Sequence, residues 1–152
     1  MVRVSWLGAA VVALAMCAQA SPVRADYCGD REAGTVFHCQ LLGSSRQVTV
    51  CQHEDGSYQY AYGKPNRTPE LELRRTKEAA VYTPWNGIGR AIWASLSLRN
   101  GNYLYEVSFS YDKFDQTEAG TLTVYIGEEI ASQRSCRPDT LEQTLFDLEQ
   151  DG

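Results

Sequence analysis

The residues best equipped for chemistry lie early in the chain, where His38-Cys39 and Cys51-Gln52-His53 supply four donors of the kind that hold zinc. A tetrahedral centre needs all four to converge. Both segments read as strands. In Thr35 to Leu42 the apolar Phe37, Cys39 and Leu41 share one face, and in Arg46 to Gln52 the inward pair is Val48 and Val50. Cys51 then faces outward with His38 and His53, while Cys39 points the other way. The pattern argues against a metal centre and for ordinary surface histidines. Nucleophilic catalysis fares no better, because neither a Gly-x-Ser-x-Gly elbow nor a reactive-cysteine motif accompanies the two histidines. Glu128-Glu129 places its carboxylates on opposite sides of a strand or turn, and Gly87-Ile88-Gly89 lacks the third glycine of a dinucleotide loop. The expectation is a non-catalytic chain without a cofactor.

Recognition chemistry is better represented. Tyr82, Trp85 and Arg90 fall in the segment Tyr82-Thr83-Pro84-Trp85-Asn86-Gly87-Ile88-Gly89-Arg90, which joins hot-spot residue types to turn formers. Trp85, Arg90 and Tyr82 are therefore the candidate binding residues. Trp93, Tyr58 and Tyr60 have the same chemistry, but alternation assigns them to packing in strands.

The elements that position these residues read as strands. Tyr58, Tyr60 and Tyr62 alternate, as do Glu70-Leu71-Glu72-Leu73-Arg74 and the run from Ala91 to Arg99. Asn100-Gly101-Asn102 marks a hairpin into Tyr103 to Tyr111, and Gly127-Glu128 turns Thr121 to Ile126 into Ile130 to Cys136. Only the tail looks helical, with Asp139 and Glu142 fitting a capping box and Leu141, Leu145 and Leu148 forming an apolar stripe. The fold class is all-β, a small antiparallel β-barrel or sandwich of about seven to eight strands with a short C-terminal helix.

The N-terminus carries Arg3, an apolar run from Val4 to Met16 and small residues ending at Ala18-Gln19-Ala20, the layout of a secretory signal. Residues 1–20 are expected to be the signal peptide, with cleavage after Ala25 as the second choice, leaving 21–152 as a single disulfide-braced β domain. The run is shorter than the roughly 20 residues that span a bilayer, so no transmembrane segment is expected in the mature chain. Met16, standing where a lipobox takes Gly or Ala, argues against a lipoprotein. Removing Cys17 leaves Cys28, Cys39, Cys51 and Cys136, an even set bound for an oxidising compartment. Pairing Phe37 with Val50 and Cys39 with Val48 closes a hairpin around Leu42-Gly43-Ser44-Ser45 and puts Cys39 and Cys51 on opposite faces. They should not bond each other. The preferred linkages are Cys39 to Cys136, tying the first core strand to the last, and Cys28 to Cys51, pinning the N-terminal segment across the hairpin. The formal net charge of −5 disfavours nucleic acid and anionic headgroups and suits a basic exported protein as partner.

Phe37-His38-Cys39, the hairpins with Gly and Tyr, and Val124-Tyr125-Ile126-Gly127 with Cys136 resemble the periplasmic C-type lysozyme inhibitor family. The resemblance covers Thr35 to Cys136. It implies a small eight-stranded exported barrel whose early and final cysteines bond, in the bacterial periplasm. Asn100-Gly101-Asn102-Tyr103 departs from the family's Ser-Gly-x-x-Tyr inhibitory loop in residue and spacing, and the lysine-bearing strand has no counterpart, so no inhibitory residue carries over. The expected function is an exported binding module, in the form of an inhibitor of a basic secreted hydrolase such as lysozyme. The alternatives are a structural or envelope-associated β domain, or a small-molecule-binding barrel with a closed apolar cavity lined by Tyr105 and Phe109.

Overall fold

The computed structural model describes residues 27–29 and 33–151, and the expected signal peptide lies outside them. Among the described residues, ten strands form two five-stranded antiparallel sheets. The first contains β1 (Ala33–Gln40), β2 (Gln47–His53), β3 (Tyr58–Gly63), β4 (Leu71–Arg75) and the short β10 (Glu142–Gln143), in the order β10-β1-β2-β3-β4. The second is a meander of β5 (Ala80–Pro84), β6 (Ala91–Asn100), β7 (Tyr103–Asp112), β8 (Thr117–Ile126) and β9 (Glu129–Ser135).

The alternation of side chains generates the sandwich. Val48, Val50, Tyr60 and Leu73 project from the first sheet, and Leu96, Leu98, Val107 and Leu122 from the second, into one buried core. The hairpin register matches the expected one, with Phe37 opposite Val50 and Cys39 opposite Val48. A bulge at Val36 lets Thr35 pair with Cys51 while that valine stays buried. Both expected disulfides are present, Cys28–Cys51 and Cys39–Cys136.

Three expectations need correction. The sheets do not close into a barrel. The chain leaves the first sheet after β4 through a 3-10 turn at Lys77–Ala79 and starts the second at β5, so β4 and β5 are edges of different sheets. At the opposite side a single bridge, Leu41 with Cys136, links them, helped by Leu42 N–H donating to the Ser135 carbonyl at 2.8 Å. Arg75 ties β4 to the end of β6 by donating to the Arg99 carbonyl at 2.7 Å.

The strand number exceeds the expected seven or eight partly because Ala80–Pro84, read largely as loop, pairs with β6 and turns Ala80 and Tyr82 toward the core. The tail differs as well. Glu142 and Gln143 pair with His38 and Phe37, which interrupts the expected helix, and Leu145–Asp151 is a 3-10 segment. Three residues per turn place Leu145 and Leu148 on one side, and both are buried, while Phe146 meets Phe109 edge-on at 5.7 Å. The narrower helix accounts for Leu145 and Leu148 alone, since Leu141 lies ahead of β10 and outside it. Among the described residues no helix is long and apolar enough to cross a membrane.

Candidate functional site

Trp85 and Arg90 sit on the β5–β6 loop at one end of the second sheet, where it interlocks with the β7–β8 loop. The Trp85 indole N–H donates to the Ile88 carbonyl at 2.9 Å, and Asn86 Oδ1 accepts from Ile88 N–H at 3.0 Å, which rounds the loop into a compact turn. Arg90 reaches across to Asp112 at 2.6 Å and to Asp115, with its guanidinium 5.2 Å from the Phe114 ring centroid. Lys113 returns the contact by placing its ammonium 5.0 Å from the Trp85 ring. Asp112 also accepts the backbone N–H groups of Phe114 and Asp115. The Asp115 N–H first, and then the Arg90 guanidinium, hold its carboxyl below the usual aspartate range.

Internal partners therefore occupy the charges of this loop pair, and the hydrophobic groups remain outside. Ile88 is 76% exposed and Phe114 is 75% exposed. Arg90 is a brace between loops more than a free cation. Tyr82 stands apart from Trp85 and Arg90, because it points inward from β5. It lines a separate cavity of about 270 Å³ with Tyr58, Leu96 and Leu148.

A second feature lies between the sheets. Tyr60, Tyr62, Glu70 and Leu71 from the first sheet and its β3–β4 turn face Tyr105, Leu122, Val124, Ser132 and Arg134 from the second, across an open cleft of about 410 Å³. The Tyr60 and Tyr105 rings lie 5.2 Å apart. Burial first, and then neighbouring tyrosines, push both phenols above the ordinary tyrosine range, so both hydroxyls stay protonated. At the rim, Arg46 holds Glu70 through two bonds from Nε at 3.0 and 2.9 Å. Sequence reasoning placed Tyr105 in a cavity, but this one is open, and Phe109 packs against Phe146 instead. The overlooked residues are Ser132 and Arg134. Half-buried Ser132 and exposed Arg134 alternate with Gln133 on an edge strand, in register with Val124 and Leu122, and polar residues opposite apolar ones on an edge are the signal that an open cleft leaves in a sequence.

The donors first considered for zinc are used otherwise. Cys39 and Cys51 are in different disulfides, and among the described residues no group of three His, Cys, Asp or Glu side chains could hold a metal. His53 shares a hydrogen bond with Gln59 at 2.9 Å. His38 faces outward by parity, but it is not the surface histidine expected. The Tyr27 ring stacks on it at 3.3 Å, leaving it 1% exposed, and Nδ1 shares a 2.8 Å hydrogen bond with Thr49. Burial lowers its pKa from 6.5 to about 4.

The outer face of the second sheet carries one more polar cluster. Glu106 accepts from Ser95 and Ser97, each at 3.3 Å, and from Tyr125 at 3.2 Å. Three hydroxyl donors on neighbouring strands make this a satisfied hydrogen-bond net, one that the serine alternation of β6 could have signalled. No protein-family model, curated protein or solved structure matches this chain.

Proposed function

We propose that the chain is an exported, non-catalytic binding module of the bacterial periplasm that docks a basic protein through its interlocked β5–β6 and β7–β8 loops. One observation carries the reading. Among the described residues, Ile88 and Phe114 are the most exposed large hydrophobics, and both sit on a loop pair whose charged groups are already satisfied internally. An apolar centre inside a braced polar rim is the arrangement of a binding hot spot, and bracing reduces the ordering cost of association. The net charge of −5 supplies long-range attraction for a cationic partner. Two disulfides and the signal-like N-terminus support the oxidising compartment.

The resemblance to C-type lysozyme inhibitors makes a cationic lysozyme the first probe. The purified disulfide-bonded protein is titrated against it, with binding and residual hydrolysis read together. Replacing Ile88 and Phe114 by serine should weaken binding at least about tenfold, a loss of roughly 1.4 kcal/mol. Full binding by the double variant would remove the loops from the interface. No association with any cationic hydrolase at low salt would overturn the proposed partner class.

A further inference from the structure

The cleft between the sheets is unrelated to the loop pair and has the composition of a ligand site. Its volume of about 410 Å³ falls in the range of small-molecule pockets, roughly 300 to 1,000 Å³. Its walls divide by chemistry. Leu71, Leu122 and Val124 are apolar, Tyr60, Tyr62 and Tyr105 offer ring surface and hydroxyl donors, and Arg134 with Ser132 stands on the edge strand. Among the described residues none forms an ion pair or hydrogen bond with the Arg134 guanidinium, whereas Glu70, the carboxylate of the same lining, is already held by Arg46. The cleft therefore presents one uncommitted positive charge beside a largely apolar interior. An otherwise acidic protein places it there.

We propose that this cleft binds an amphipathic monocarboxylate, with the carboxylate on Arg134 and Ser132 and the apolar body between the tyrosines and Leu71, Leu122 and Val124. A guanidinium matches a carboxylate through two parallel N–H bonds, and the serine hydroxyl adds a third donor. A monoanion fits better than a dianionic phosphate, because among the described residues Arg134 is the one cation of the lining and Arg46 at the rim is already engaged by Glu70. The phenols, held protonated, line the body of the ligand and add no negative charge of their own. The rings suit the body of the ligand, which gains by leaving water.

The test uses the full disulfide-bonded protein and three probes of equal chain length: decanoate, decanol and decyl phosphate, each measured by calorimetry. Decanoate should bind at least about tenfold more tightly than decanol, and Arg134→Ala should abolish that difference while leaving decanol affinity unchanged. Arg134→Lys should restore part of it, since the charge remains and the fork is lost. Val124→Trp, which fills the cleft, should abolish binding of all three probes. Ser132→Trp at the rim does the same without touching the core, should Val124→Trp fail to fold. Equal affinity for decanoate and decanol in the unmodified protein would overturn the proposal, as would decanoate binding that survives Arg134→Ala. Tighter binding of decyl phosphate than of decanoate would overturn the choice of head group. The serine variants of Ile88 and Phe114 should keep decanoate affinity, so failure of the loop reading and failure of this one are separately visible.

Discussion

Each sheet buries polar groups on its outer face, and the two do so by different means. On the first, the Tyr27 ring covers His38, which is bonded to buried Thr49, and the Cys28–Cys51 disulfide fastens the N-terminal segment that carries the ring. On the second, Ser95 and Ser97 are buried beside Glu106, which accepts from both and from Tyr125. The first arrangement is a covalently fastened lid over a titratable group, and the second is a hydrogen-bond net with no disulfide among its strands. A lid excludes water and so penalises any charge beneath it, whereas a net provides partners for the charge it contains. The loop pair and the Arg134 wall both belong to the second sheet. The first sheet should therefore dominate the response of stability to reduction and acid, and the second should dominate recognition.

Removing the cross-links gives the largest effect. Cys39–Cys136 closes a sequence separation of 97 and Cys28–Cys51 one of 23. The chain-entropy relation assigns about 4.7 and about 3.4 kcal/mol respectively to loops of these lengths. Alanine pairs at each bridge, compared by urea unfolding, should rank in that order. Loss of the shorter bridge should in addition release Tyr27 from His38, which the longer one should not do. If the two pairs cost the same and both leave the His38 environment unchanged, the lid is not held by its disulfide.

Acid comes next in size. The unfolded His38 value is 6.5 and the folded value about 4, so the unfolded chain binds more protons in between. The contribution is complete above about pH 6.5 and is lost as the pH falls to about 4, on the order of 2 to 3 kcal/mol in all. Asp112 has a depressed carboxyl, so its own contribution is lost only at lower pH, and the two windows separate. Unfolding free energy should fall across the upper window in the unmodified protein and stay nearly flat in His38→Gln. Tyr27→Ala should return the imidazole pKa, followed by NMR, toward 6.5. An unchanged imidazole titration after that substitution would mean that the tyrosine is not the lid.

Period-two patterns make the local geometry of the strands legible in the sequence. The apolar alternation of Phe37 and Cys39 against Val48 and Val50 sets the hairpin register, and the opposite faces it gives Cys39 and Cys51 exclude one disulfide pairing, because a strand has only two faces. The same alternation could not reveal what covers a face. His38 was assigned outward correctly, yet Tyr27 reaches it from a segment with no period of its own. The cleft was obscured for a related reason. Tyr60 and Arg134 are far apart in sequence and meet only through sheet packing, which strand patterns do not specify. In the tail, the four-residue step from Leu141 to Leu145 suited an α-helix, but Glu142 and Gln143 pair with β1 in between, a long-range pairing that local spacing does not reveal, and only the three-residue step from Leu145 to Leu148 falls within the 3-10 segment. Trp85 and Arg90 were legible as a loop pair, but the acidic partners of Arg90 come from the β7–β8 turn, which the same reading treated only as a polar loop.

The smallest expected effect sharpens the comparison where the sheets join. Gly120 on β8 lies against the bridge to the first sheet, and a Cβ placed there would sit 2.8 Å from Cys136 Sγ and 2.6 Å from Leu141 Cδ1. The Cys136 N–H also donates to the Gly120 carbonyl at 2.9 Å, so the backbone cannot simply retreat. Gly120→Ala should cost about 1 to 2 kcal/mol by overpacking. A leucine terminus can rotate aside, but a sulfur fixed to Cys39 cannot. The cost should therefore shrink when Cys39 and Cys136 are both replaced by alanine, which a double-mutant cycle reads as coupling between the glycine and the bridge. If the cost is the same with and without the disulfide, Leu141 alone creates the crowding, and the join between the sheets tolerates movement that the lid over His38 does not.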